Sequence, residues 1–120
     1  PLAKAKSPVK LDVLRNERVI LLEDGHCLRD QVTLICELAF SEPSEIQATS
    51  MATLAQMVAA GIGVTLLPEC AVKVEAGPGR GVVTRQFAGN SPSRTIGLVW
   101  RKSSPFAEAF QQLCRSIALS

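Results

Sequence analysis

The sequence predicts an α/β fold built around a mainly parallel sheet. Short apolar runs of strand length, at residues 18–22, 64–67 and 95–100, alternate with segments whose apolar residues recur at helical spacing. That alternation is the signature of strand–helix–strand units. Hydrophobic residues make up 47% of the 120 positions, enough for one core and too many for a disordered chain.

Residues 1–16 form a polar lead-in with a short helical turn around Leu11–Leu14. Arg18-Val19-Ile20-Leu21-Leu22 is a compact run suited to a strand buried on both faces. Glu23-Asp24-Gly25-His26 turns the chain. From Cys27 to about Phe40, Leu28, Val32, Ile35 and Ala39 stand at i, i+4, i+7 and i+11, the spacing of one helix face. After a loop over 41–44, Ile46–Thr49 reads as a strand. Ser50 is placed to cap a helix whose apolar face is Met51, Leu54, Ala55 and Val58. Gly61 suits the left-handed position that ends it.

Val64–Leu67 is the next buried strand, and Pro68 opens a short helix as its first residue. Gly77-Pro78-Gly79 turns into a strand over Gly81–Phe87. A loop over 89–93 leads to a last strand, Thr95–Trp100, and Phe106, Ala109, Phe110, Leu113 and Ile117 stripe a terminal helix.

Composition narrows the function. A net charge of +2 is too small for this piece to bind nucleic acid alone. No apolar run reaches the ~18–20 residues of a membrane span; the best candidate, Met57–Pro68, is broken by Gly61, Gly63 and Thr65. The basic start at Lys4, Lys6 and Lys10 leads into Asp12, Arg15, Asn16 and Glu17 rather than a signal-peptide core. A cytoplasmic protein with free thiols is therefore expected. It opens on Pro1 and is expected to be part of something longer. Cys27, Cys36, Cys70 and Cys114 are too sparse for a disulfide scaffold, and no C-x-x-C occurs. With His26 the single imidazole, neither a metal nor a cofactor is expected.

Cys27 is the residue most suited to chemistry. It stands where a Gly-containing turn meets a helix start, and free N–H groups and the helix dipole there favour an anion. His26 and Arg29 bring positive charge near. These conditions populate a thiolate when the thiol is exposed; an inert, half-buried thiol is the alternative. Cys36 lies nine residues on, about 13.5 Å along the axis and about 900° around it, on the opposite helix face. A disulfide needs Cα atoms within about 7 Å. The two either never pair or pair only when the helix is rebuilt.

Cys70 and Cys114 read as packing residues. Gly61-Ile62-Gly63 and the Gly77–Gly81 stretch lack the spacing of a phosphate loop. A Cys27–His26 hydrolase dyad is a poor fit, because adjacent residues at a turn rarely face each other. Thr49-Ser50 can bind a small anion or cap its helix, and capping is the better reading.

The string Gly25-His26-Cys27-Leu28-Arg29-Asp30-Gln31, followed by Cys36, resembles the peroxide-sensing branch of the LysR-type transcription regulators. Ala48-Thr49-Ser50, Met57–Gly61 and Thr65–Pro68 are similar to the general LysR-type effector domain. Arg94–Arg101 is similar to the strand by which that domain returns to its first subdomain. The resemblance spans residues 17–119.

It implies a periplasmic-binding-protein-like α/β fold, with residues 1–93 as the second regulatory subdomain and 94–120 as the returning strand and helix. Cys27 would be the peroxidatic cysteine and Cys36 the resolving one, closing a reversible disulfide. His26, Arg29 and Arg94 would support the site. Hydrogen peroxide would be the signal, and a glutaredoxin or thioredoxin system the reductant. DNA would be bound only through a winged helix outside this chain, by a homodimer or homotetramer, with no membrane partner. The protein would be a sensor rather than an enzyme. The rivals are an effector domain that binds an organic anion at Thr49-Ser50, and a thiol peroxidase with continuous turnover.

Overall fold

The computed structural model describes residues 2–118, so Pro1, Leu119 and Ser120, at the outer ends of the two expected segments, lie outside it. Two 3₁₀ turns, Leu2–Lys4 and Leu11–Asn16, precede the first strand, β1 (Leu21–Leu22). Then follow α1 (Cys27–Leu38), β2 (Gln47–Ala48), α2 (Met51–Ala59), α3 (Glu69–Glu75) and α4 (Ala107–Ala118). No described helix is long and apolar enough to cross a membrane.

β1 is the centre of the fold, and its alternation explains why. Successive side chains of a strand point to opposite faces. Val19 and Leu21 join Leu14, Val32, Cys36 and Ala39 in a cluster under α1. Ile20 and Leu22 join Ala48 and Leu54 in a second cluster under α2. All four residues from Val19 to Leu22 are buried, as a strand covered on both faces requires. β2 pairs parallel to β1 in the register Leu21↔Gln47 and Leu22↔Ala48. On the other side, Val64 bridges Val19, also in parallel. Gly63 permits this approach: a Cβ there would lie 2.4 Å from the Arg18 carbonyl oxygen.

The later strands depart from expectation. Only Val64 of the 64–67 run bridges, and only Phe87 of 81–87, which pairs in parallel with Val9. Residues 95–100 form no ladder. An apolar run becomes a strand only beside a hydrogen-bonding neighbour, and no strand among the described residues pairs with this one. Ile96 and Val99 are accordingly exposed. The stripe is likewise uncovered at Phe106, just before α4, and at Leu113 and Ile117 on it. This last strap packs on itself, with the Trp100 and Phe110 ring centroids 5.7 Å apart.

The helix ends follow local chemistry closely. Ser50 Oγ accepts from the Thr53 amide at 3.2 Å, and Gly61 follows α2 with a φ of +78°. Pro68 is the residue before α3 rather than its first, a shift of one position. α1 ends without glycine: Phe40 takes a φ of +53°. The Phe40 and Ser41 amides close the helix on the Glu37 and Cys36 carbonyls at 3.0 and 2.9 Å.

Candidate functional site

The turn after β1 delivers Cys27 to the first position of α1, with His26 as the capping residue. Cys27 is exposed. The first N–H groups of any helix lack intrahelical partners, so the thiol stands at the electropositive end of α1. The His26 side chain makes no capping hydrogen bond and is exposed beside it. Cys27 lines an open cleft of about 560 Å³ together with Gln31, Arg94, Thr95 and Ile96. Arg94 Nη1 donates to Gln31 Oε1 at 3.5 Å, which ties the 94–96 segment to the first turns of the helix.

Gln31 was not legible as a site residue from residue type. The available signal was its spacing: it stands four residues after Cys27, hence on the same helix face. Arg94 lines the same cleft as Cys27. Arg29 is directed elsewhere: its guanidinium bonds the Leu22 carbonyl at 2.7 Å and the Asp24 carboxylate at 2.8 Å. It faces the strand edge through these contacts.

Cys36, in the same helix, is fully buried in the cluster under α1. Burial pushes its thiol pKa up, because the low-polarity surroundings disfavour the thiolate. The folded state therefore binds the Cys36 proton more tightly than the unfolded state. That contribution to stability is full below the ordinary thiol pKa and is lost as pH rises through the raised value. Cys36→Ala is expected to flatten this alkaline loss, measurable by denaturant unfolding across pH.

The contrast in exposure also sets reactivity. Iodoacetamide at neutral pH is expected to label Cys27 faster than Cys36 by on the order of a hundredfold, since a reagent reaches Cys36 only through local opening. Equal rates, read by peptide mass spectrometry, would contradict this placement. Cys70 on α3 is also exposed, and Cys114 on α4 is half-buried; neither lines the Cys27 cleft.

Ser50 Oγ is engaged with the Thr53 amide and stands 3.0 Å from Thr53 Oγ1, so the Thr49-Ser50 position is a helix cap in this structure. Among the described residues, no three His, Cys, Asp or Glu side chains converge to hold a metal.

Comparison with known proteins gives the family. The model of the LysR substrate binding domain matches residues 1–118. The DNA-binding transcriptional dual regulator OxyR of Escherichia coli K12 is 47% identical over 105 residues, covering 87% of this chain and 34% of that protein. The chain thus spans about a third of the length of the curated relatives it matches. A structure of the reduced form of OxyR superposes with a TM-score of 0.81 at 42% identity, over 98% of this chain and 53% of that one. A hydrogen-peroxide-bound cysteine variant of Corynebacterium glutamicum OxyR gives 0.78 at 36% identity, over 90% and 34%.

Proposed function

The chain belongs to the LysR substrate-binding domain family, with its periplasmic-binding-protein-like α/β fold, and from that premise we propose that it senses hydrogen peroxide for a LysR-type DNA-binding transcription regulator. The observation that carries this reading is an exposed thiol at the start of α1 and a buried thiol near the end of the same helix. A cysteine-reactive signal can reach the first without reaching the second. The reading is supported by a relative named as a hydrogen peroxide-inducible genes activator in Dickeya chrysanthemi, 43% identical over 110 residues.

The chemistry proceeds in two steps. The Cys27 thiolate attacks one peroxide oxygen; the S–O bond forms, the O–O bond breaks, and the leaving hydroxide takes a proton to become water. Cys27 is now a sulfenic acid. Once α1 unwinds and brings Cys36 out of its cluster, the Cys36 sulfur attacks the Cys27 sulfur; the S–S bond forms, the S–O bond breaks, and the hydroxide leaves with the Cys36 proton as water. Gln31 and Arg94, which line the cleft, supply donors to the departing oxygen, and His26 lies beside the thiol. A thiol reductant of the glutaredoxin or thioredoxin class restores both thiols by exchange. One oxidation per signal makes this a switch and not a turnover enzyme.

Residues 1–93 act as the second regulatory subdomain, and 94–120 as the strand and helix returning to the first. The exposed apolar strap over 95–117 suits that role, because its covering surface belongs to the first subdomain. DNA contact falls to the winged helix of the longer cytoplasmic protein, working as a homodimer or homotetramer.

Peroxide treatment followed by non-reducing mass spectrometry tests the reading. The expected product is a peptide pair joined through Cys27 and Cys36, lighter by two hydrogens. Peroxide-inert Cys27, or a disulfide that instead joins Cys70 or Cys114, would contradict it.

A further inference from the structure

Arg29 is two residues beyond the reactive thiol, yet its side chain works on the sheet. The guanidinium is only 20% exposed. Nη1 donates to the carbonyl of Leu22, the last residue of β1, at 2.7 Å. Nε donates to Asp24 in the connecting turn at 2.8 Å. With the Gln47 amide turned so that its oxygen faces the guanidinium, that oxygen accepts from Nη1 at 3.0 Å and Nη2 at 3.3 Å. One rigid fork thus joins the first turn of α1 to β1, to the turn and to β2. A planar guanidinium suits such multiple bonding; a flexible ammonium does not.

We propose that Arg29 is a positioning residue that holds the first turn of α1 on the β1–β2 edge and so sets the redox balance of the Cys27–Cys36 pair. The inference rests on the proposed disulfide. Leu22 is buried and pairs in register with Ala48 of β2, so its carbonyl moves little. Pairing Cys27 with Cys36 requires α1 to unwind, and unwinding from its N-terminus swings the Arg29 backbone away from these acceptors. The bonds belong to the reduced, helical state and are lost in the oxidised one. They weight the equilibrium toward the reduced form. The Asp24 carboxylate, 91% exposed, adds little; Leu22 and Gln47 are the acceptors that matter.

The test is equilibration with mixtures of reduced and oxidised glutathione. There the two protein thiols become a disulfide while one oxidised glutathione becomes two reduced. R29Q is expected to raise the equilibrium constant for oxidation about tenfold, a potential about 30 mV more negative. R29K should fall between R29Q and wild type, because an ammonium keeps at most part of the fork. Q47L, which removes one acceptor from an exposed position, should shift the constant in the same direction by less, and it decides the matter if R29Q does not fold. A residue that merely stabilised both forms would lower the melting temperature and leave the constant unchanged. Unchanged constants in the folded variants, with the wild type forming the bond, would overturn the inference alone. A wild type that forms no Cys27–Cys36 bond would overturn the disulfide reading, and the inference with it.

Discussion

Cys27→Ser is expected to abolish peroxide-driven disulfide formation, whereas loss of Cys36 should stop the reaction one step later. A serine hydroxyl is far less nucleophilic than a thiolate at neutral pH, so the rate at this position should fall by orders of magnitude. The substitution is mild for folding, because the Cys27 side chain is exposed at a helix start. Cys36→Ser is a different experiment. It places a hydroxyl in a fully buried apolar cluster, at a cost of about 1–3 kcal/mol if it finds no partner. Cys36→Ala avoids that and gives the cleaner comparison. With either variant, Cys27 should accumulate as sulfenic acid, trapped by dimedone, and proceed to the over-oxidised sulfinic acid under excess peroxide. Rapid disulfide formation in Cys36→Ala would assign resolution to another thiol.

Ile20→Ala is expected to give the largest loss of stability. Ile20 is fully buried in the cluster under α2. Its amide donates to the Val64 carbonyl at 2.8 Å, and its carbonyl accepts from Thr65 Oγ1 at 2.9 Å. Its side chain packs over Gly63, where a Cβ would stand 3.1 and 3.2 Å from Ile20 Cγ1 and Cδ1. A glycine has no side chain to relax into the space, so the cavity stays open. The expected cost is about 2–5 kcal/mol, against a total of roughly 5–15 kcal/mol for a domain. Thermal unfolding should shift down by about 10 °C or more. A shift of a degree or two would mean that this part of the sheet is not the core of the fold.

What was legible in the sequence is what local chemistry decides. The buried stretch Val19–Leu22 could be read from the apolar run, although only Leu21–Leu22 form β1 and Val19 a single bridge, and α1 could be read from its 28–32–35–39 spacing. Ser50 and Gly61 marked the ends of α2 because a capping oxygen and a left-handed φ are needed there whatever the rest of the chain does. The strand at 95–100 was over-read for the opposite reason. Its β-branched and apolar residues suit a strand, but a ladder depends on a neighbour that no local pattern specifies. At the candidate site, the Cys27 and Cys36 positions followed from spacing and resemblance, and the helix geometry placed them on opposite faces. Gln31 carried one signal, its place four residues after Cys27 on the same helix face, and that singles it out only once α1 is oriented over the cleft. The direction of Arg29 was not legible, since sequence proximity to Cys27 says nothing about which way a long side chain turns. Its acceptors, Leu22 and Gln47, lie on two strands whose register fixes where the fork must point.

We propose that residues 27–40 are one segment with two packings, a helix when reduced and a rebuilt chain when Cys27 and Cys36 are joined. Bistable segments of this kind turn a single bond into a change of shape. Amide hydrogen exchange across residues 27–40, compared between the reduced protein and the mass-verified disulfide form, tests it most directly. Amides bonded within α1 should lose protection on oxidation while those joining β1 and β2 keep theirs. A verified Cys27–Cys36 bond with α1 protected to the same degree in both forms would contradict it.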